Sequence, residues 1–225
     1  MIGQQSIVSS QNVLELTNYA SSYNVNEYVQ VYSELDTISP QLALYRIRSG
    51  KMKSVPYEGN PGMTNSDVAY WLAFTFKNNS SETEFMLDLA YPQLDYLQLA
   101  LVDSMEASLL FETGDQYVFE KRSISNRNFV FPISLEKGEV KTFLLNADKR
   151  KSAIRFPLTL MTIESFNDQS EKERTYLSVY YVFIILIVLA AIVIGLGLRQ
   201  PVFLWFALSV ACYGLWLFTW QGVLI

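Results

Sequence analysis

Apolar and polar positions alternate with period two over much of the first 165 residues. Tyr70, Leu72, Phe74 and Phe76 fall on one side of an extended segment, and Trp71, Ala73, Thr75 and Lys77 on the other. Leu97, Leu99 and Leu101 repeat the pattern against Tyr96, Gln98 and Ala100. Phe129, Phe131, Ile133 and Leu135 make a third row, and Phe156, Leu158 and Leu160 a fourth. Such alternation is that of strands with one buried face. Shorter strands are predicted at Val13 to Thr17, Val29 to Tyr32, Glu84 to Leu89, Ser108 to Glu112 and Val140 to Leu145. Turn residues punctuate them at Asn78-Asn79-Ser80, Tyr91-Pro92, Thr113-Gly114-Asp115 and Lys137-Gly138. One short helix, Ser39 to Arg46, and one long loop, Gly50 to Asp67, interrupt the series. Many short strands without intervening helices predict an all-β jelly-roll sandwich.

The pattern changes abruptly near the C-terminus. No acidic residue follows Glu173, and beyond Arg174 the only charge is Arg199. Tyr176 to Leu198 and Pro201 to Ile225 are therefore two uncharged runs. At about 1.5 Å per residue each is long enough for a hydrocarbon core of roughly 30 Å. A transmembrane α-helical hairpin is expected after the sandwich. Asp168, or Ser170 with Glu173, is expected to cap the first helix. Gly195, Gly197, Arg199 and Gln200 are expected to loosen its end, and Pro201 suits the first turn of the second helix. Tyr176, Tyr180 and Tyr181 mark one interface, to which Trp216 and Trp220 return, and Trp205 marks the other. The expected division is an N-terminal segment 1–11, a β domain 12–165, a juxtamembrane connector 166–174, and spans at 175–198 and 201–225.

Charge and composition narrow the chemistry. There are 22 acidic and 17 basic residues and no histidine, which removes the commonest general base and zinc ligand. The overall balance is acidic, and nothing in the sequence suggests a nucleic-acid partner. The single cysteine, Cys212, lies in the second span and has no intramolecular disulfide partner. Lys172 and Arg174 on the domain side against Arg199 in the turn leave orientation unsettled by the positive-inside rule. Met1 to Ser10 has neither a basic nor an apolar signal region, so either the β domain is cytoplasmic or an export signal lies upstream.

Motifs for catalysis, cofactors or metals are missing from the pattern; no enzyme activity, cofactor or metal site is expected. Asp88, Asp95, Asp103 and Asp115 are the carboxylates that glycoside hydrolysis would need, but turn and strand-end positions favour solvation. Lys149-Arg150-Lys151 reads as a solvated turn. Asn78 and Asn79 have glycosylation spacing. Binding is the better use of the surface. Trp71, Tyr91, Tyr96, Arg122 and Arg127 are the candidate ligand-binding residues, since aromatic rings stack on sugars and a guanidinium offers a fixed fork of donors. The expected partners are a carbohydrate or other small molecule, membrane lipid and a periplasmic protein.

Three segments carry a family resemblance. Tyr70 to Asn78 (YWLAFTFKN), Tyr91 to Leu99 (YPQLDYLQL) and Thr113-Gly114-Asp115 with Arg122 resemble the type-two extracellular domain of bacterial seven-transmembrane receptors with diverse intracellular signalling modules. Val13-Leu14-Glu15-Leu16-Thr17 and the stretch to Pro40 are similar to the start of that domain. Arg199 to Trp205 (RQPVFLW), with Gln221-Gly222, is similar to the family's first two membrane helices. The resemblance implies an exported jelly roll like carbohydrate-binding modules. It also implies a seven-helix bundle and a cytoplasmic output, so that a chain with two helices is read as truncated.

Overall fold

The computed structural model describes residues 13–57, 68–117, 122–124, 126–149 and 154–220. Segment 1–11, most of the expected 50–67 loop, Arg150, Lys151 and Gln221-Gly222 lie outside them, as does the side chain of Trp220. The chain divides into two compact units between Ser165 and Phe166.

In the first unit the strands are β1 (Val13–Leu16), β2 (Ser22–Asn24), β3 (Gln30–Glu34), β4 (Lys53–Val55), β5 (Ala69–Asn78), β6 (Glu84–Leu89), β7 (Tyr96–Asp103), β8 (Glu106–Thr113), β9 (Phe129–Ser134), β10 (Val140–Asp148) and β11 (Leu158–Thr162). Among the described residues they form two sheets. The larger has the order β4-β3-β5-β10-β7-β8, and the smaller β2-β11-β6-β9. Pairing is antiparallel except that β1 runs parallel to the C-terminal half of β5. β3 takes the N-terminal half of the same β5 edge, from Ala69 to Ala73. The result is the expected all-β sandwich.

The four apolar rows meet between the sheets. Tyr70, Leu72, Phe74 and Phe76 of β5 pack with Phe85, Leu87, Phe129, Phe131, Phe156 and Leu158 in one core. β5 is buried on its other face too. There α1 (Pro40–Arg48) lays Ala43, Leu44 and Ile47 over Trp71, Ala73 and Leu144. Ser39 caps α1, its Oγ accepting from Leu42 N at 3.3 Å, and Pro40 occupies the first turn, where no N–H partner is needed. Edge strands are blunted: β8 is irregular opposite Leu99 and Ala100, and β9 carries Pro132.

Asn78 ties the ends of β5, β6 and β9 together. Its Nδ2 donates to the carbonyls of Glu82 and Leu135 (2.6 and 2.8 Å), and its Oδ1 accepts from Ser80 N and Oγ (2.9 and 2.7 Å). The side chain is fully buried, so its glycosylation spacing serves a turn instead.

The helices are α2 (Ile163–Gly197) and α3 (Pro201–Trp220). β11 passes into α2 without an intervening residue. The expected caps at Asp168 and Ser170 are corrected: both lie inside the helix, and Thr162 Oγ1 accepts from Ser165 N at 3.3 Å instead. Hydrophobic periodicity missed this start because the first three turns are polar apart from Ile163 and Phe166, too few to show a period. The expected connector is thus helical. Both helices are long and apolar enough to cross a membrane. At about 1.5 Å per residue, α2 exceeds the roughly 30 Å of hydrocarbon. They pair antiparallel: Gly195 lies against Leu204, Gly214 against Ile184, and Tyr181 against Phe218. Gly195 and Gly197 remain helical. The left-handed residue is Arg199 (φ 52°), and Gln200 N donates to Gly195 O at 3.0 Å, closing the helix in a Schellman turn.

Candidate functional site

Strand register gathers several loops at one end of the sandwich. Asp148 at the end of β10 pairs with Tyr96 at the start of β7, and Leu97 pairs with Thr113 at the end of β8. In the other sheet Leu89 ends β6 opposite both Phe129, at the start of β9, and Leu158, at the start of β11. Thr162, where the chain leaves for α2, is at the far end of β11.

Two of these loops are stitched through the backbone. Asp115 N donates to Leu94 O at 2.8 Å, and Gln116 N to Asp95 O at 3.4 Å. Gly114 makes the approach feasible: a Cβ there would lie 2.3 Å from Asp95 O, and its φ is +146°. Lys149 reaches across to the same place. Its ammonium lies 5.0 Å from the Tyr91 ring centre and donates to Tyr91 Oη and Gln93 Oε1 at 3.3 and 3.4 Å. Asp115 pairs with Arg122 at 3.6 Å. Burial pushes the Asp115 carboxyl above the ordinary range and the Asp95 charge adds to this, while Arg122 and Lys149 oppose it.

The five candidate residues separate. Tyr91, Tyr96 and Arg122 come to this end, and Arg127 reaches it through its carbonyl. Arg122 is turned inward: its Nη1 donates to Asn126 O and Arg127 O at 2.9 and 2.7 Å, and its guanidinium sits 4.6 Å from the Phe129 ring centre. Burial lowers its pKa, with Asp115 opposing. Tyr96 lies on the outer face of the larger sheet and donates to Glu112. Trp71 is buried beneath α1 and shows no face to solvent.

Gln93 and Lys149 join the group, although neither was among the five candidate ligand-binding residues. Lys149 read as part of a charged turn, because the Asp148–Tyr96 register that aims it at Tyr91 is long-range. Among the carboxylates considered for hydrolysis, only Asp95 and Asp115 adjoin. Asp88 is buried on the smaller sheet, accepting from Asn128 Nδ2 at 3.3 Å, and Asp103 is on the β7–β8 hairpin at the opposite end. Among the described residues no group of three or more acidic or cysteine side chains is placed to hold a metal.

Comparison with known proteins matches the model of the 7TMR-DISM extracellular 2 family to residues 26–162. No curated protein matches. Among solved structures, a GH31 alpha-xylosidase from Xanthomonas citri aligns at 11% identity with a TM-score of 0.29, over 60% of this chain and 15% of that enzyme. A likeness that low carries no argument about fold or activity. The family match covers more than half of the chain, and it is followed by two apolar helices. The chain belongs to the 7TMR-DISM extracellular 2 family, as a membrane-anchored receptor chain whose β domain lies outside the cytoplasm.

Proposed function

We propose that the β domain binds a carbohydrate or other small polyhydroxyl molecule at the Tyr91–Lys149 end and passes the change to the membrane helices. An extracellular receptor domain joined to membrane helices fits a sensing input region, and sensing of this kind is non-enzymatic. The observation that carries the ligand class is the group of Tyr91, Gln93, Asp95, Asp115 and Lys149. It offers a ring, an ammonium donor and several oxygen acceptors within one partly exposed patch. Hydroxyl groups both donate and accept, so a polyol pairs with such a mixture where a purely anionic or cationic ligand does not. The domain division proposed is a sensor at 12–165, a helical connector at 166–174 and spans within 175–198 and 201–225. Membrane lipid surrounds the spans.

Ligand binding shifts the helices only through unequal affinity for two arrangements of the chain. β11 crosses the sandwich and enters α2 directly, which supplies a covalent route. The experiment is a titration of the full chain in lipid nanodiscs with a panel of glycans and small polyols. Saturable binding that falls at least tenfold in Tyr91→Ala is expected. Silence across the panel from folded protein rejects the ligand class.

A second reading has its own support. Leu42 and Tyr45 of α1 and Met105 of the β7–β8 hairpin are exposed at 39%, 57% and 73%. Gln41 and Arg48 bind Met105, so helix and hairpin form one surface. A surface of this kind, with exposed apolar side chains among polar ones, suits a periplasmic protein partner. A stoichiometric complex lost on Tyr45→Glu, with no small-molecule binding, favours this reading.

A further inference from the structure

The helix α1 meets the β7–β8 hairpin around a cavity of about 350 Å³, lined by Gln41, Leu44, Tyr45, Arg48, Ser49 and Met105. That volume is at the small end of the range for ligand sites. Leu44 is buried, whereas Tyr45 and Met105 present exposed apolar side chains. Gln41 braces the two elements: its Nε2 donates to Met105 O at 3.1 Å, and its Oε1 accepts from Ala107 N at 2.7 Å. Helix and hairpin are therefore tied together before any ligand arrives.

Arg48 is the unanswered charge in this cavity. A cation in the last turn of a helix ordinarily meets the terminal carbonyls. In α1 the backbone takes them: Ser49 N donates to Tyr45 O, Gly50 N to Ile47 O and Lys51 N to Arg46 O. Arg48 turns to the hairpin instead, and its Nη1 donates to Met105 Sδ at 2.8 Å. A thioether is a weak acceptor and carries no charge. No carboxylate among the described residues pairs with Arg48, whereas Arg46 has Glu34. Arg48 Nε is buried without a partner, so part of the cation is desolvated without compensation. The residue as a whole stays partly exposed, which leaves its Nη edge as the side a ligand meets. Lys51 adds a second cation at the same helix end, its ammonium 5.3 Å from the Tyr45 ring centre. A sugar would leave this charge unanswered, and a bare inorganic anion would leave the apolar walls uncovered. An organic acid with a short apolar body meets both.

We propose that this cavity binds a small organic carboxylate with an apolar body, the carboxylate on the Nη edge of Arg48 and the body against Tyr45 and Met105. The hairpin is at the other end of β7 and β8 from the Tyr91–Lys149 patch, and the acid needs no protein partner. The proposal can therefore fail without either reading above. The test uses the full chain in lipid nanodiscs with carbon-13-labelled methionine methyl groups, followed by NMR, with Met105 assigned through Met105→Leu. 3-Phenylpropionate should shift the Met105 methyl resonance saturably. 3-Phenylpropionamide keeps the shape without the charge, and acetate keeps the charge without the body; each should bind at least tenfold more weakly. Arg48→Gln should weaken 3-phenylpropionate binding at least tenfold. Tyr45→Ala, at an exposed position, should weaken it at least threefold, and serves if Arg48→Gln disturbs the fold. No saturable shift in folded protein, equal binding of the amide, or unchanged binding in folded Arg48→Gln overturns the proposal.

Discussion

Arg122 directs its guanidinium into the protein, closing the 122–128 loop by two carbonyl contacts and covering Phe129. Its side chain is 7% exposed, so hydrogen bonds to the charged group have their full effect. Arg122→Met is expected to destabilise the β domain by about 1.5–3 kcal/mol, measured by denaturant unfolding. Arg122→Lys should restore little, because a point charge cannot reproduce the planar fork. Glu139 gives a pH-dependent case. Hydrogen bonds from Glu136 N and Lys141 lower its pKa below the ordinary 4.5. Its contribution is therefore present above the unfolded-state pKa and is lost as pH falls through the lowered folded value. Amide exchange at Glu136, corrected for its intrinsic pH dependence, should speed up on acidification below about 4.5 in the native protein. In Glu139→Gln that step should be missing. Among residues, Tyr91 was legible as an aromatic beside a turn, whereas the inward direction of Arg122 was not, because its carbonyl partners are set by the loop's fold. Trp71 was misplaced as a surface ring, because alternation alone does not reveal that α1 covers the second face of β5.

At the scale of elements, β5 is the strand that both layers use. Trp71→Ala should cost about 3–5 kcal/mol and loosen α1, read as faster amide exchange in Ala43 to Ile47, since a large buried ring leaves a cavity. Gly114 is the other control point. Gly114→Ala puts a methyl against Asp95 O, and should separate the 91–96 and 114–117 loops with a loss of about 1–3 kcal/mol. The strand faces were legible in the sequence because each row alternates within its own segment. The short β2 and β4, three residues each, have too few positions to show a period. The start of α2 was hidden for a different reason: apart from Ile163 and Phe166 its first turns are polar, and the cap is a threonine at the end of a strand.

For the whole molecule, two apolar helices and the family match place the β domain outside the cytoplasm, an assignment that flanking Lys and Arg counts left open. Replacing Cys212 with Ser and introducing Asp36→Cys gives one labelling site in the β domain. A membrane-impermeant maleimide added to cells with a permeable outer barrier should label it without lysis. The central claim is that this end of the sandwich reads a ligand for the helices. Hydrogen exchange on the full chain in nanodiscs, with and without the tightest-binding polyol of the panel, tests it most directly. The account predicts protection confined to residues 91–96 and 114–117, with altered exchange in 163–174. Protection elsewhere in the β domain, with those loops and the start of α2 unchanged, would contradict it.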